Sequence, residues 1–292
     1  MTKYDIVLLV SEKNVNISKL SIKYLLRFTQ YNKLYIITAK KNMHHFSYDD
    51  KYNIKLLDEN SILPGINISN LEQFLTRLKV NSGRAGWYFQ QFLKMGICKY
   101  PEISNYYLIW DSDTIMLNPI KFFSKGGKVL INIGGEYHKP YFETYTKITG
   151  KSRSVIFSFI TEHLMISKSI MNELINCIGN AEKSENQWVW NIMNSIDNDN
   201  LSKSGFSEFE TYGNFAMSTY PESMEVRPIK YYRYGASKYG MKPNNFDLHR
   251  LSLDYAYASF EDWDVGPTQV IARNKIISFF IWLTSSLRSY FS

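Results

Sequence analysis

Residues 106–117 read YYLIWDSDTIML, and this stretch is the strongest indication of the fold in the sequence. Five apolar or aromatic residues run directly into Asp111 and Asp113, and apolar residues resume after them. An apolar run with these limits predicts a strand that is buried on both faces of a parallel sheet. The two aspartates then follow its carboxyl end, where open α/β sheets bind their ligands.

Asp111 and Asp113 are separated by one residue, which in an extended chain places both carboxylates on the same side. Two carboxylates held together repel each other unless a cation neutralises them. Hard oxygen ligands at this spacing suit Mg²⁺ or Mn²⁺, which keep several waters and also bind substrate phosphates. The stretch therefore predicts a site for a divalent metal and a diphosphate. The alternative is an ordinary junction of strand and turn, where Asp and Ser are common because they hydrogen-bond locally.

Length and composition indicate a globular chain with a large core. Of the 292 residues, 45% are hydrophobic and 16% are aromatic, so the core needs neither disulfides nor metal staples. Charged residues make up 21%, which argues against disorder. Cys98 and Cys177 each lie in an apolar segment, and we expect both to be small core residues in a reducing compartment.

The N-terminus and the net charge restrict location and partners. The first residues lack the charged region, apolar run and cleavage site of a secretory signal. No stretch reaches the roughly 18 apolar residues of a spanning helix, so we expect a cytoplasmic protein. The net charge of +7 favours anionic partners, namely phosphorylated substrates or acidic lipid surfaces. No zinc-ligand spacing or RNA-binding signature is present, so nucleic acid is not an expected partner.

The hydrophobic pattern predicts a doubly wound α/β sheet, because strands and helices alternate from the N-terminus. The first strand ends at Ser11, which puts the following loop at the ligand edge of the sheet. The predicted strands are 5–10, 34–38, 54–57, 106–110, 129–133 and 157–166, and the predicted helices are 18–30, 71–78, 84–95, 168–178 and 187–196.

The helix predicted over 84–95 has a polar side and an aromatic side. Steps of three and four residues along this helix put four polar or amphipathic side chains on one side, namely Arg84, Trp87, Gln91 and Lys94. One interpretation is an amphipathic surface helix with a solvated basic edge. The other is that Arg84 and Gln91 line the crevice beside the aspartates and hold a nucleotide.

Two further pairs of residues combine polar groups with apolar surroundings. Glu162 and His163 interrupt a predicted strand, either as a buried histidine satisfied by a carboxylate or as part of a substrate pocket. Glu208 and Glu210 again place two carboxylates two residues apart. A capping box with Ser207 would explain them without chemistry. Alternatively, one of the glutamates removes a proton from an acceptor hydroxyl.

Basic residues gather in a Gly-containing loop near the end of the sequence. Arg233, Lys238 and Lys242 either clamp phosphate oxygens or are plain surface charge. His249 follows this loop and could complete a metal shell, although a lone histidine is a weak signal.

Residues 273–291 form an aromatic and apolar tail flanked by cations. The tail is too short to span a membrane. A segment that lies in the headgroup region, anchored by Trp282 and Tyr290, fits this composition. The alternative is a C-terminal helix packed on the core of the protein.

A strand that ends in Asp-x-Asp resembles the glycosyltransferases of the GT-A fold. Four blocks in this order further resemble one bacterial family, long labelled as a domain of unknown function, whose members occur among genes for O-antigen and capsule assembly. The resemblance covers about residues 4–265, and the four blocks together are more specific than Asp-x-Asp alone. The blocks are Arg84-x-Gly86-Trp87-x-x-Gln90-Gln91-x-x-Lys94, Trp110-Asp111-Ser112-Asp113-Thr114, Thr161-Glu162-His163-x-Met165 and Ser207-Glu208-x-Glu210-x-Tyr212-Gly213-Asn214.

The resemblance implies an α/β, GT-A-like (Rossmann-related) domain over 1–265, with a mostly parallel central sheet flanked by helices and a smaller β-containing acceptor-side region. Residues 266–292 lie outside the resemblance, and their composition predicts a membrane-facing C-terminal helix. The implied activity is a metal-dependent hexosyltransferase with a nucleotide-sugar donor and a lipid-linked or oligosaccharide acceptor. Such an enzyme would serve O-antigen, capsule or lipopolysaccharide biosynthesis as a peripheral protein on the anionic inner membrane face.

The resemblance also assigns roles to individual residues. Asp111 and Asp113 would hold Mn²⁺ or Mg²⁺ and, through it, the donor diphosphate, with His249 as a doubtful third ligand. The remaining donor-binding residues would be Ser11, Arg84, Trp87, Gln91 and Lys94. The acceptor-side base would be Glu208 or Glu210. The residues themselves, apart from the resemblance, make His138, Tyr141, Glu162 and His163 candidates for the acceptor or sugar pocket, and Arg233, Lys238 and Lys242 candidates for a phosphate clamp.

Two other functions fit part of the sequence. Asp111-Ser112-Asp113-Thr114 after an apolar strand matches the nucleophile motif of haloacid-dehalogenase-like phosphohydrolases, in which the first aspartate attacks phosphorus. In those proteins the motif normally lies on the first strand, whereas here two or three strands precede it. The acidic residues of 261–264 also follow no recognisable apolar strand. The second alternative is a non-catalytic, membrane-associated scaffold whose aspartates are structural.

Overall fold

The computed structural model describes residues 2–179 and 185–290, and the chain forms two compact units. Unit 1 is built from Met1–Leu9, Tyr31–Trp110 and Phe122–Arg227. Unit 2 is built from Val10–Gln30, Asp111–Lys121 and Pro228–Ser292. Each unit therefore combines segments that are distant in the sequence.

The helices predicted from periodicity are confirmed, with ends within three residues of the prediction. Within the described residues the strands are β1 (Asp5–Val10), β2 (Leu34–Thr38), β3 (Ile54–Asp58), β4 (Tyr106–Trp110), β5 (Thr114–Met116), β6 (Val129–Ile131), β7 (His163–Ser167), β8 (Met224–Val226), β9 (Tyr231–Tyr232) and β10 (Tyr257–Ser259). The α-helices there are α1 (Val15–Phe28), α2 (Ile68–Arg77), α3 (Ala85–Gly96), α4 (Lys139–Thr149), α5 (Lys168–Ile178), α6 (Gln187–Ser195), α7 (Asn198–Leu201), α8 (Glu208–Thr219), α9 (Gly235–Tyr239), α10 (Asn245–Ser252) and α11 (Thr268–Tyr290).

The main sheet has the strand order β3-β2-β1-β4-β7. β2 pairs with β3 and β1 pairs with β4 in parallel, whereas β7 pairs with β4 in antiparallel fashion. Every residue of β1 and β2 is buried, as continuous apolar runs predict for strands covered on both faces. The chain order reverses between β1 and β4, so the carboxyl ends of these two strands mark the topological switch point, where α/β sheets bind ligands.

The strand predicted over 157–166 is wrong in its first half. Ser158 makes an isolated bridge with Gly134, and Glu162 has a φ of 60°, which interrupts the extended chain. β7 therefore begins only at His163. Two smaller expectations also change: β6 ends at Ile131, and Cys177 is exposed although Cys98 is buried.

Unit 2 has its own small sheet and core. The sheet has the order β5-β10-β9, with β10 antiparallel to β5 and parallel to β9. α1 packs against β5, and the core joins Ile17 of α1, Ile115 of β5 and Leu248 of α10. This packing fixes the start of β5, and the acidic motif directly precedes that strand.

α11 is a helix with one packed side and one exposed side. It contacts α9 and α10, and the rings of Phe279 and Trp282 lie 5.2 and 4.9 Å from the ring of Phe246. Ile276 and Phe280 are 59% and 57% exposed. The packed alternative for the tail is therefore correct for one side of the helix. The side chain of Tyr290, the second predicted anchor, lies outside the described residues, and none of the helices described has the length and apolar character needed to cross a membrane.

Candidate active site

The aspartate pair lies in a turn and not in an extended strand. β4 ends at Trp110, and the N–H of Thr114 donates to the carbonyl of Asp111 at 3.0 Å. This hydrogen bond closes a four-residue turn. The expectation of an extended chain that points both carboxylates to one side is therefore wrong, and the local structure is the strand-to-turn junction of the alternative interpretation.

The turn nevertheless brings carboxylates together. Glu261 follows β10, and the N–H of Phe260 donates to the carbonyl of Asp113 at 2.9 Å. Burial, and then the carboxylates of Asp111 and Glu261, raise the pKa of Asp113 to about 7. Burial also raises the pKa of Glu261, and Asp111 contributes in the same direction. We call Asp111, Asp113 and Glu261 the acidic turn cluster.

Sequence analysis missed Glu261 because the strand before it is short. β10 contains only Tyr257, Ala258 and Ser259, yet all of them are buried. The expectation that no apolar strand precedes the acidic residues 261–264 is therefore wrong. A signal was present in the alternation of small and aromatic residues before Glu261, but three residues are too few to distinguish a strand from a loop.

A second turn meets the acidic turn cluster. It follows β1, spans residues 11–14 and is closed by a hydrogen bond of 3.0 Å from the N–H of Asn14 to the carbonyl of Ser11. The Nδ2 of Asn14 donates to Oδ2 of Asp113 at 3.1 Å. β1 and β4 are parallel neighbours, so the two turns that touch are the ones that follow the two strands of the topological switch point.

The donor atoms of this region suit a hard divalent cation. Carboxylate oxygens are the ligands that Mg²⁺ and Mn²⁺ prefer, and a cation would offset the repulsion that raises the pKa of Asp113. Among the described residues no three His, Cys, Asp or Glu side chains are placed to hold a metal by themselves. The predicted set of Asp111, Asp113 and His249 is therefore not formed. A cation held here needs further oxygens, which water and a diphosphate supply for Mg²⁺.

The predicted phosphate clamp is distributed over unit 2. Nε of Arg233 lies 3.7 Å from Oε1 of Glu261, so this guanidinium borders the acidic turn cluster. Nζ of Lys238 lies 4.7 Å above the ring of Tyr232. Lys242 is exposed at the surface. Arg233 is thus the clamp residue that the structure places beside the predicted diphosphate site.

In unit 1, predicted site residues from two stretches meet around Ser204, which was not itself predicted. Nη2 of Arg84 lies 3.4 Å from Oγ of Ser204, and its guanidinium lies 5.0 Å from the ring centre of Trp87. Nε2 of His138 lies 2.8 Å from the carbonyl oxygen of Ser204, and its ring is 4.6 Å from that of Tyr141. Burial raises the pKa of Tyr141 to about 12, which keeps its phenol neutral. We call these five residues the Ser204 cluster.

Next to this cluster, α3 and α8 are joined by polar contacts. Nζ of Lys94 donates to Oε1 of Glu208 at 2.7 Å, and both side chains are largely buried. Oε1 of Gln91 accepts from the N–H of Glu208 at 3.1 Å. A solvated basic edge is therefore wrong for Gln91 and Lys94, because both point at α8. Their predicted contacts with a donor stay untested.

Glu210 is also held by neighbours within unit 1. Its carboxylate accepts from Oγ of Ser158 at 2.5 Å and from Nδ2 of Asn214 at 3.2 Å. Oγ of Ser207 accepts from the N–H of Glu210, which is one half of the capping box that the alternative interpretation expects; the carboxylate of Glu210 turns instead to Ser158 and Asn214. The prediction that Glu208 or Glu210 deprotonates an acceptor stays untested, and the contacts account for both residues without catalysis.

The rest of this sequence block also has structural roles. The hydroxyl of Tyr212 accepts from the N–H of Ser167 at 2.7 Å, which ties α8 to the end of β7. A Cβ at Gly213 would lie 2.2 Å from the ring of Phe159. Only glycine allows this approach. The block Ser207–Asn214 is therefore largely a packing motif.

Glu162 and His163 are adjacent, but Glu162 has a left-handed backbone conformation whereas His163 is the first residue of β7. Glu162 is 4% exposed and has a φ of 60°, a region that a glutamate seldom occupies. His163 pairs with Trp110, and its Nδ1 lies 2.9 Å from the carbonyl oxygen of Thr161. Burial, and then the charge of Arg227, lower the pKa of His163 to about 3, so the ring is neutral. A backbone carbonyl thus takes the place of the expected carboxylate partner.

Comparison with known proteins identifies the family. The profile of the family of unknown function DUF6492 matches residues 2–235, and the chain belongs to this family. A search of curated protein sequences finds no match to the chain.

Two solved structures resemble the chain at low sequence identity. Mouse xyloside xylosyltransferase 1 in its apo form shares 10% identity with a TM-score of 0.47, and the match covers 91% of this chain and 100% of that one. The galactosyltransferase LgtC, solved in complex with donor and acceptor sugar analogues, shares 11% identity with a TM-score of 0.46. That match covers 88% of this chain and 86% of LgtC.

Proposed function

We propose that this protein is a metal-dependent glycosyltransferase of the hexosyltransferase type that uses a nucleotide-sugar donor. The observation that carries the proposal is the meeting of the turns after β1 and β4 through Asn14 and Asp113. Ligand sites of α/β sheets lie at the carboxyl ends of strands at such a switch point. The resemblance of the strand ending in Asp-x-Asp to glycosyltransferases of the GT-A fold supports the same class.

In this proposal Asp111 and Asp113 bind the cation that accompanies the donor diphosphate. When bound, Mg²⁺ or Mn²⁺ supplies positive charge opposite the diphosphate that leaves the sugar. Arg233 borders the same cluster and is suited to bind a phosphate oxygen, since guanidinium donors match phosphate geometry. Ser11 belongs to the turn after β1 and keeps its proposed role in donor binding.

The Ser204 cluster is the proposed binding region of unit 1 for a sugar. It offers a guanidinium, an indole, an imidazole and a neutral phenol, which together can donate and accept hydrogen bonds and cover the apolar face of a ring. Glu162 is a further candidate, because strained backbone often occurs at sites of ligand contact.

We further propose that the acceptor is lipid-linked or an oligosaccharide of bacterial surface polysaccharide, and that the protein works as a peripheral protein on the cytoplasmic face of the inner membrane. The exposed side of α11 supports this, because Ile276, Phe280 and Leu283 follow one another at helical spacing and are all exposed. Arg273 lies on the same side by its spacing, as expected for contact with an anionic surface.

The proposal is tested with a panel of nucleotide sugars and Mn²⁺, following release of the nucleoside diphosphate. We expect turnover with one donor class, and we expect Asp113→Ala to lower it by at least about 100-fold while the protein stays folded. Asp262→Ala is the control, because Asp262 is exposed and pairs only at the surface with Lys13. Near-normal turnover by Asp113→Ala would refute the assignment. Vanadate-sensitive release of inorganic phosphate would favour the phosphohydrolase, and no binding of any nucleotide sugar would favour the scaffold.

A further inference from the structure

Asn14 has a side chain that the fold leaves half satisfied. It lies immediately before α1, in the position of a helix cap, yet its side chain makes no capping hydrogen bond. The residue is 9% exposed, so its carboxamide is almost fully buried. Nδ2 donates to Oδ2 of Asp113 at 3.1 Å, whereas Oδ1 has no hydrogen-bond partner in the described part of the chain.

A buried carbonyl oxygen without a donor is costly and calls for a physical reason. The start of α1 supplies no donor, because Asn14 has helical backbone angles in a 3-10 turn that continues directly into α1, and its side chain makes no capping hydrogen bond. Oδ1 and Nδ2 are bonded to the same carbon, so the unpartnered oxygen lies next to the carboxylate of Asp113. The orphaned atom is thus a hard oxygen at the edge of the acidic turn cluster.

A carbonyl oxygen has a particular advantage at a site for a metal diphosphate. The cluster already carries the carboxylates of Asp111, Asp113 and Glu261: after burial, Asp111 and Glu261 raise the pKa of Asp113, and Asp111 also raises that of Glu261. Another carboxylate would attract a cation but would also repel the incoming diphosphate. A neutral amide oxygen coordinates a divalent cation without adding negative charge. Such a ligand therefore favours the complex of cation and diphosphate over the bare cation.

We propose that Asn14 is the third protein oxygen donor of the divalent-cation site, with its Nδ2 fixing Asp113 and its Oδ1 binding the cation. The inference deepens the proposed function and rests on it for the identity of the site. It assigns a ligand role to a residue in the turn after β1, so both strands of the switch point would contribute to the cation site.

The test is a titration of Mn²⁺ into the metal-free full-length protein without nucleotide, followed by the loss of the electron paramagnetic resonance signal of free Mn²⁺. We expect Asn14→Leu to weaken Mn²⁺ binding by about 10- to 100-fold, as removal of a ligand-shell contact does. We expect Asn14→Asp to bind bare Mn²⁺ more tightly than the wild type, because it keeps an oxygen and adds charge.

Asn118→Leu is the matched control. It removes another partly buried carboxamide of unit 2, one whose Nδ2 donates to the carbonyls of Ser252 and Tyr255. Its Mn²⁺ affinity should equal that of the wild type even if its thermal stability falls. Should Asn14→Leu fail to fold, Asn14→Asp alone decides the question through the sign of its change in affinity.

Unchanged Mn²⁺ binding in both Asn14 variants overturns the inference. Weaker binding in both variants also overturns it. Asn14→Asp keeps an oxygen in place of Oδ1, so a loss there would come from the missing Nδ2 contact with Asp113. These results differ from a failure of the proposed function, in which the wild type itself binds no Mn²⁺, either alone or with a nucleoside diphosphate.

Discussion

The chain contains two acid-x-acid motifs, Asp111-Ser112-Asp113 in unit 2 and Glu208-Phe209-Glu210 in unit 1, and their surroundings are opposite in kind. Glu208 is 2.7 Å from the ammonium group of Lys94, and Glu210 accepts hydrogen bonds from Ser158 and Asn214. Asp113 instead has two further carboxylates as its main charged neighbours, and its pKa rises to about 7. The same sequence pattern therefore serves packing in unit 1. In unit 2 it gathers carboxylates whose mutual repulsion a cation would offset.

The two motifs differ in the groups that offset the negative charge of their carboxylates. In the glutamate motif the folded chain supplies the cation and the donors, so the motif is complete without a ligand. In the aspartate motif Asn14 donates to Asp113, but burial and then the carboxylates of Asp111 and Glu261 raise the pKa of Asp113. A bound divalent cation would offset this repulsion between carboxylates. Spacing alone cannot separate these cases, since it is identical in both motifs.

The largest expected effect comes from breaking the glutamate motif. Lys94→Ala leaves the carboxylate of Glu208 buried without its cation and should lower the free energy of unfolding by about 3–5 kcal/mol. Chemical denaturation measures this loss. Lys13→Ala, which removes the exposed pair with Asp262, is the control and should cost less than about 1 kcal/mol. Equal losses in the two variants would show that the motif of unit 1 is not the structural one.

The next effect is a pH dependence that belongs to the aspartate motif. The folded protein holds the proton of Asp113 up to about pH 7, whereas an unfolded chain releases it near pH 4. Between these values the folded state binds more protons, so its stability falls as the pH rises, by at most about 1.4 kcal/mol per pH unit. In metal-free buffer, Asp113→Asn should lose this slope. A wild type whose stability rises through the same interval would contradict the assignment.

A smaller effect is expected at Glu162. Its side chain is buried, as are those of Glu208 and Glu210, but its backbone is strained. Glu162→Gln keeps the shape of the side chain and removes its charge. We expect transfer to fall by about 10- to 100-fold, the loss for one hydrogen bond to a charged group, with little change in melting temperature. If the variant loses stability but keeps its turnover per folded molecule, the role of Glu162 is structural and not catalytic.

The smallest effect concerns α11, which contrasts with both motifs because its exposed residues are apolar. Ile276→Ser together with Phe280→Ser should weaken binding to vesicles containing phosphatidylglycerol by roughly tenfold, since both side chains are more than half exposed. Leu253→Ser is the control, because Leu253 is 58% exposed but lies outside α11. Vesicle binding that is unchanged, or equally weakened by Leu253→Ser, would argue against the membrane contact.

The sequence was sufficient for the parallel strands and for most helix ends, because continuous apolar runs and 3.6-residue periodicity report burial directly. It failed at 157–166, where the conformation of Glu162 interrupts an otherwise apolar run. It also failed for the extended geometry at Asp111, which depends on a hydrogen bond from Thr114. Asn14 carries no signal in the sequence and Glu261 only a short alternating one, since both become important only where distant segments meet Asp113.

The most direct test of the comparison is calorimetric titration of nucleoside diphosphates, in the presence of Mn²⁺, into the wild type, Asp113→Asn and Glu210→Gln. We expect Glu210→Gln to bind a diphosphate as the wild type does, because the carboxylate of Glu210 serves packing within unit 1. We expect Asp113→Asn to lose the Mn²⁺-dependent part of the binding. Retained binding in Asp113→Asn together with lost binding in folded Glu210→Gln would contradict both expectations.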